Sequence, residues 1–118
     1  IDRACATVVR RVPGIRPCPF GHVGDGNIHF NLSQPVEMDG QSFLALWDEV
    51  NHLVHDQVSD LGGSFSAEHG IGLSKISEMH RYKDTTALEV MVAIKRALDP
   101  DNLFNPGKVI SIPDANSR

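Results

Sequence analysis

Pro19-Phe20-Gly21-His22-Val23-Gly24-Asp25-Gly26-Asn27-Ile28-His29-Phe30-Asn31 carries a reversal of the backbone at its centre. Asp-Gly supplies the two φ > 0 positions of a tight hairpin turn. With Asp25 and Gly26 as the loop, Gly24 pairs with Asn27, Val23 with Ile28 and His22 with His29. Cross-strand partners share a face with Cβ atoms about 4.5–5.5 Å apart, so this pairing sets two imidazoles side by side. Side chains alternate with a period of two. Phe20, His22, Asn27, His29, Asn31 and Ser33 therefore share one face, and Val23, Ile28, Phe30 and Leu32 take the apolar one. A polar sheet face turned to water ordinarily carries Lys, Glu or Thr. This one carries His and Asn.

Around the hairpin the periodicity changes. Residues 2–12 read as a helix stopped by Pro13-Gly14. Strands are expected near 15–23 and 28–33. Asp39 or Ser42 caps a long helix to about Leu61, with Phe43, Trp47, Val50, Val54, Val58 and Leu61 as its buried stripe. Ser64 to Ala67 is strand-like and leads into Glu68-His69-Gly70-Ile71-Gly72. A short helix over 73–81 follows. Then comes a helix capped by Asp84 or Thr86, with stripe Leu88, Met91, Val92, Lys95 and Leu98, and an irregular tail. The order α-β-β-α-β-α predicts an α+β fold, a ferredoxin-like layer of antiparallel sheet with helices on one face.

The 118 residues fit one domain, and a net charge of −4 gives no bias towards nucleic acid. No apolar run has the length of a membrane span, and no signal-peptide pattern opens the chain. Cys5 and Cys18 form neither a disulfide framework nor a CxxC motif; free thiols in a reducing, cytoplasmic setting are expected. Because Ile1 opens directly into helix-like sequence, a piece of a longer protein is expected.

Imidazole nitrogen and carboxylate oxygen suit a divalent transition metal, and a two-histidine, one-carboxylate set leaves positions for a chelating substrate. His22 and His29 supply the nitrogens, and Glu68 is the natural third ligand. Two cross-strand histidines also arise on hairpins without function. Neighbours in a strand point to opposite faces, so Glu68 and His69 reach one site only where the chain leaves β geometry, which Gly70 and Gly72 permit. His69 then becomes a general base; the alternative is a histidine closing a strand end. Gly70-Ile71-Gly72-Leu73-Ser74-Lys75 lacks the Gly-Lys-Ser/Thr ending of a phosphate loop. Lys75 either neutralises an anion near the helix start or is solvated. His52, His55 and His80 read as solvated helix surface, and Trp47 as core.

With the hairpin, Ser66-Ala67-Glu68-His69-Gly70-Ile71-Gly72, Lys75 and Leu98-Asp99-Pro100…Asn105-Pro106-Gly107-Lys108-Val109 in view, the chain resembles the C-terminal part of FAD-linked oxidases of the vanillyl-alcohol-oxidase type. The similar branch is that of the D-lactate, D-2-hydroxyglutarate and glycolate dehydrogenases, over about Pro17 to Val109. The resemblance implies that this chain, 1–118, is the substrate or cap portion of a flavoenzyme oxidising a D-2-hydroxy acid. It implies a divalent cation, zinc or manganese, on His22, His29 and Glu68, His69 as base, and Asn31 at the substrate. FAD would be held on a separate N-terminal domain that nothing here matches, so the chain alone is expected to be catalytically incomplete. The family's substrate-carboxylate cations lie upstream of the hairpin and are not identifiable; Arg10, Arg11 and Arg16 do not align with them. An electron acceptor could draw the whole enzyme to a membrane periphery. Two rivals remain: a flavin-independent 2-His-1-carboxylate metalloenzyme, and an α+β interaction module that forms a homodimer through its sheet edge.

Overall fold

The computed structural model describes residues 1–112, which fall into two compact units, one comprising Ile1–Glu68 and the other beginning at His69. In the first unit, α1 (Asp2–Arg11) has Asp2 in its first turn and Arg10 and Arg11 in its last, the arrangement that complements the helix dipole. Pro13-Gly14 ends it, with Gly14 at φ 84°. Two antiparallel strands follow, β1 (Arg16–His22) and β2 (Asn27–Ser33), the only sheet among the described residues. Asp39 accepts hydrogen bonds at 3.0 Å from the amides of Gln41 and Ser42 and so caps α2 (Gly40–Leu44).

The long helix expected from there to Leu61 is broken. The chain turns at Ala45-Leu46, where the Leu46 amide bonds to Phe43 O three residues back, and α3 (Trp47–Asp60) begins afresh. That tightened turn re-phases the buried stripe. Phe43, Leu46, Val50 and Val54 pack with Val8, Val12 and Ile15 against Phe30 and Leu32 of β2. The helices thus cover the apolar face of the hairpin, as an α+β layer requires. Trp47, expected in the core, is 65% exposed because Leu46 takes the inward position. Leu61, at the far end of the expected stripe, is also exposed. A bidentate pair from Arg11 to both carboxylate oxygens of Glu49 ties α1 to α3 at the surface, a contact worth about 0.2–1 kcal/mol.

Ser64 to Ala67 forms no strand. Ser64 Oγ donates to Ser66 O at 2.9 Å and accepts from Ser66 N at 3.3 Å, so a local side-chain turn competes with sheet pairing. His55 is half-buried rather than solvated, its ring 6.0 Å from that of Phe65 in the same segment. His52 is likewise half-buried.

The second unit holds α4 (Ile76–Tyr82) and α5 (Thr85–Leu98), the latter capped by Asp84, which accepts from Ala87 N at 3.0 Å. Met79 and Ile110 are buried in this unit, whereas Leu98, assigned to the stripe of α5, is exposed. His80 pairs with Ser111 Oγ at 3.2 Å. The segment after α5 is organised by the buried carboxylate of Asp99, which accepts from Leu103 N at 2.8 Å and Phe104 N at 2.9 Å and pairs with Lys95. Lys95 also donates to Phe104 O at 2.6 Å. Asn105-Pro106-Gly107-Lys108 is a turn closed by Lys108 N to Asn105 O, with Pro at its second position and Gly107 at φ 66° in its third. Val109 N then bonds to Gly72 O at 2.8 Å, joining the tail to the glycine loop.

Candidate functional site

The hairpin turn has four loop residues. Val23–Asp25 form a 3-10 turn and Gly26 takes the left-handed conformation at φ 70°, its amide bonded to Val23 O at 3.1 Å. The Asp-Gly pair is therefore not a two-residue loop, and the register differs from the expected one by two residues. Phe20 stands opposite His29, Gly21 opposite Ile28, and His22 opposite Asn27. The expected direct pairing of His22 with His29 is corrected accordingly. A shift of two preserves the alternation, so Cys18, Phe20, His22, Asn27, His29 and Asn31 still share one face.

The correction changes the chemistry. Diagonal neighbours across a hairpin stand about 7–8 Å apart, a wider spacing than that of a direct cross-strand pair. Glu68 contacts both rings. His22 Nδ1 lies 3.1 Å from Oε1 and His29 Nε2 lies 3.1 Å from Oε2. An ionised carboxylate only accepts, so His29 Nε2 is the donor to Oε2, while His22 stands at ion-pair distance from Oε1. Asn27 Nδ2 donates to Oε1 as well, at 3.1 Å. The His29 ring is stacked on Phe20, with centroids 5.1 Å apart and planes 17° from parallel. His29 and Glu68 are about one-third exposed, while His22 is 70% exposed at the rim.

Among the described residues no group of three or more His, Cys, Asp or Glu side chains stands as a ready-made metal cradle. Imidazole nitrogen and carboxylate oxygen are donor types that a divalent transition metal takes.

Of the other residues singled out in the sequence, Asn31 lies two residues beyond His29 on the same face and lines a depression of about 280 Å³ with Ser33, Trp47 and Asn51. His69 and Lys75 belong to the second unit. Gly70 and Gly72 take φ 69° and 55° beside His69, and no strand leads into them for the chain to leave. Asn27 and Phe20 were legible as members of the polar face. Their partners were not, because contact with Glu68 depends on how a segment 41 residues downstream of Asn27 returns to the hairpin.

A hairpin whose polar face gathers two imidazoles around a carboxylate, with helices behind it, defines an α+β module. The chain belongs to the family described as FAD linked oxidases, C-terminal domain, whose model matches residues 1–109. It is 42% identical over 96 residues to D-2-hydroxyglutarate dehydrogenase of Xanthomonas citri pv. viticola, covering 81% of this chain and 20% of that protein. The corresponding protein of Stutzerimonas stutzeri is 37% identical over 106 residues, covering 90% of this chain and 23% of its own length. Glycolate oxidase subunit GlcD of Bacillus subtilis is 31% identical over 101 residues, 86% of this chain and 21% of that protein. The chain thus spans about a fifth of the length of these relatives. No helix among the described residues is long and apolar enough to cross a membrane.

Proposed function

We propose that this chain is the substrate- and metal-binding part of an FAD-dependent dehydrogenase that oxidises a D-2-hydroxy acid to the 2-oxo acid. The observation that carries the reading is Glu68 joined to both His22 and His29 on a hairpin of this family. The names of the relatives, D-2-hydroxyglutarate dehydrogenase and glycolate oxidase subunit, support the substrate class.

FAD, held by a further domain of the same polypeptide, supplies the acceptor for the hydride lost from the substrate's α carbon. A zinc or manganese ion, when bound, supplies a positive charge that lowers the pKa of a nearby hydroxyl. His22, His29 and Glu68 would hold that ion. His69, next to Glu68 in the chain, takes the proton of the substrate hydroxyl at an imidazole nitrogen, so that loss of proton and hydride together leaves the carbonyl. Asn31 orients the acid by its side-chain amide, and Lys75 offsets the charge of the carboxylate.

The test is anaerobic mixing of the full-length protein with D-2-hydroxyglutarate, D-lactate or glycolate while flavin absorbance is followed. Bleaching by at least one D-2-hydroxy acid, lost in His22→Ala, is the expected result. A protein that carries no flavin, or whose flavin none of these acids reduces, overturns the reading.

A further inference from the structure

We propose that the outer edge of β2, at Phe30 and Leu32, accepts a further β-strand from the part of the polypeptide outside these 118 residues. The inference is independent of the metal reading above. The two edges of the hairpin differ. Pro17 and Pro19 stand opposite Leu32 and Phe30. Proline has no N–H, so in a strand it takes positions whose N–H side faces away from the ladder. The alternate pairs, Cys18 with Asn31 and Phe20 with His29, therefore carry the hydrogen bonds between the strands. The outer edge of β1 presents no N–H at residues 17 and 19, which closes it to pairing. Phe30 and Leu32 instead turn both N–H and C=O to the outer edge of β2, where among the described residues no other backbone bond meets them.

Sheet edges that face water are blunted by proline, by charge or by a covering segment. β1 has its two prolines, whereas β2 contains neither proline nor Lys, Arg, Asp or Glu. A two-stranded sheet is itself marginal in water. The space beside β2 suits a strand. Two depressions, of about 280 and 430 Å³, are lined by Phe30 and Leu32 together with Val50 of α3, and neither includes a residue of β1. Alternate side chains of an incoming strand fill these depressions beneath α3, and the others join His29 and Asn31 on the polar face. The incoming segment is therefore one that alternates apolar and polar residues. The chain covers about a fifth of the length of its relatives, which leaves about four-fifths of such a protein to supply the strand. A second copy is the poorer occupant. Joining β2 to β2 would bring together two α3 helices, each carrying Asp48, Glu49, Asp56 and Asp60 and no Lys or Arg.

The experiment uses the full-length protein. Residue-resolved hydrogen exchange compares the amides of Phe30 and Leu32 with those of His29 and Asn31, which bond to β1. With the added strand, all four are expected to exchange within about 30-fold of one another. Photo-crosslinking then identifies the occupant. The probe is p-benzoylphenylalanine placed at the exposed position of Trp47, which lines the smaller depression with Phe30 and Leu32. It is expected to capture a peptide of the same molecule from outside these residues, at a yield independent of protein concentration. Phe30 and Leu32 amides more than about 30-fold faster than those of His29 and Asn31 overturn the inference. So does protection without a captured external peptide of the same molecule: crosslinks confined to residues 1–118 assign the edge to this chain itself, and crosslinks between two copies assign it to a dimer. Neither readout depends on flavin or metal, so the result stands apart from that of the flavin-reduction test.

Discussion

Phe20 stacks on His29 across the hairpin at a centroid distance of 5.1 Å, its own ring more than half exposed to solvent. An exposed aromatic ring of this kind contributes less to the core than to the orientation of its partner. Stacked pairs are worth about 0.5–1.5 kcal/mol beyond burial. Phe20→Ala should therefore cost about 1 kcal/mol locally, seen as faster hydrogen exchange at the amides of Ile28 and Phe30, while Phe20→Tyr leaves those rates unchanged. Equal exchange in all three proteins would show that the stack does not order the strand.

Gly21 has no room for a side chain. Its φ is 146°, and an added Cβ would meet Asn27 O at 2.4 Å. Gly21→Ala is expected to destabilise the first unit by about 1–3 kcal/mol, the range of a strained backbone position. Gly24 faces open space, so Gly24→Ala serves as the control and should melt within about 0.5 kcal/mol of wild type. Indistinguishable chemical denaturation of the Gly21 and Gly24 variants would count against the close strand approach.

In the full-length protein, His22→Ala and Glu68→Ala should each remove the ion and nearly abolish turnover. His69→Ala should retain the ion and lose roughly 10²–10⁴-fold in the hydride-transfer step, the usual worth of a general base. Chelation of the wild type should reproduce the His22→Ala phenotype and be reversed by added zinc or manganese. Elemental analysis set beside stopped-flow flavin reduction separates these classes; full activity in metal-free His22→Ala would refute the assignment.

Acid should loosen the turn after α5. The hydrogen bond from Lys95, followed by those from the Phe104 and Leu103 amides, lowers the pKa of Asp99 against the opposing effect of burial. A carboxylate whose folded pKa is depressed contributes stability that is fully present above its unfolded value, about 3.9, and is lost as pH falls through the folded pKa. Hydrogen exchange at Leu103 and Phe104 should accelerate, beyond its intrinsic pH dependence, below about pH 4. Asp99→Asn should remove that dependence at the cost of faster exchange at neutral pH.

The hairpin shows where local chemistry suffices and where it does not. Alternation alone assigned Phe20, His22, Asn27, His29 and Asn31 to one face, because a two-residue shift of register leaves every side chain on its side. The same pattern had no power to choose between a two-residue loop, with Asp25 and Gly26 both at φ > 0, and the observed four-residue loop, with Gly26 alone left-handed. For the helices, Asp39 and Asp84 were recognisable as caps because a capping bond reaches only two or three residues. Trp47 was misplaced because the bend at Ala45-Leu46 rotates the stripe by about one position, and no single residue there announces a break.

By itself, the order of residues determined the α+β class, the polar face of the hairpin, the capping residues Asp39 and Asp84 and the candidate donors, all of which depend on interactions within a few positions along the chain. Only the tertiary structure decided that His22 and His29 are diagonal neighbours, that Glu68 lies between them, and that Asn27 and Phe20 brace the group. The contacts to Glu68 join residues about forty positions apart. Their geometry follows from the return path of the segment after α3, which packing against the hairpin sets and local propensity does not.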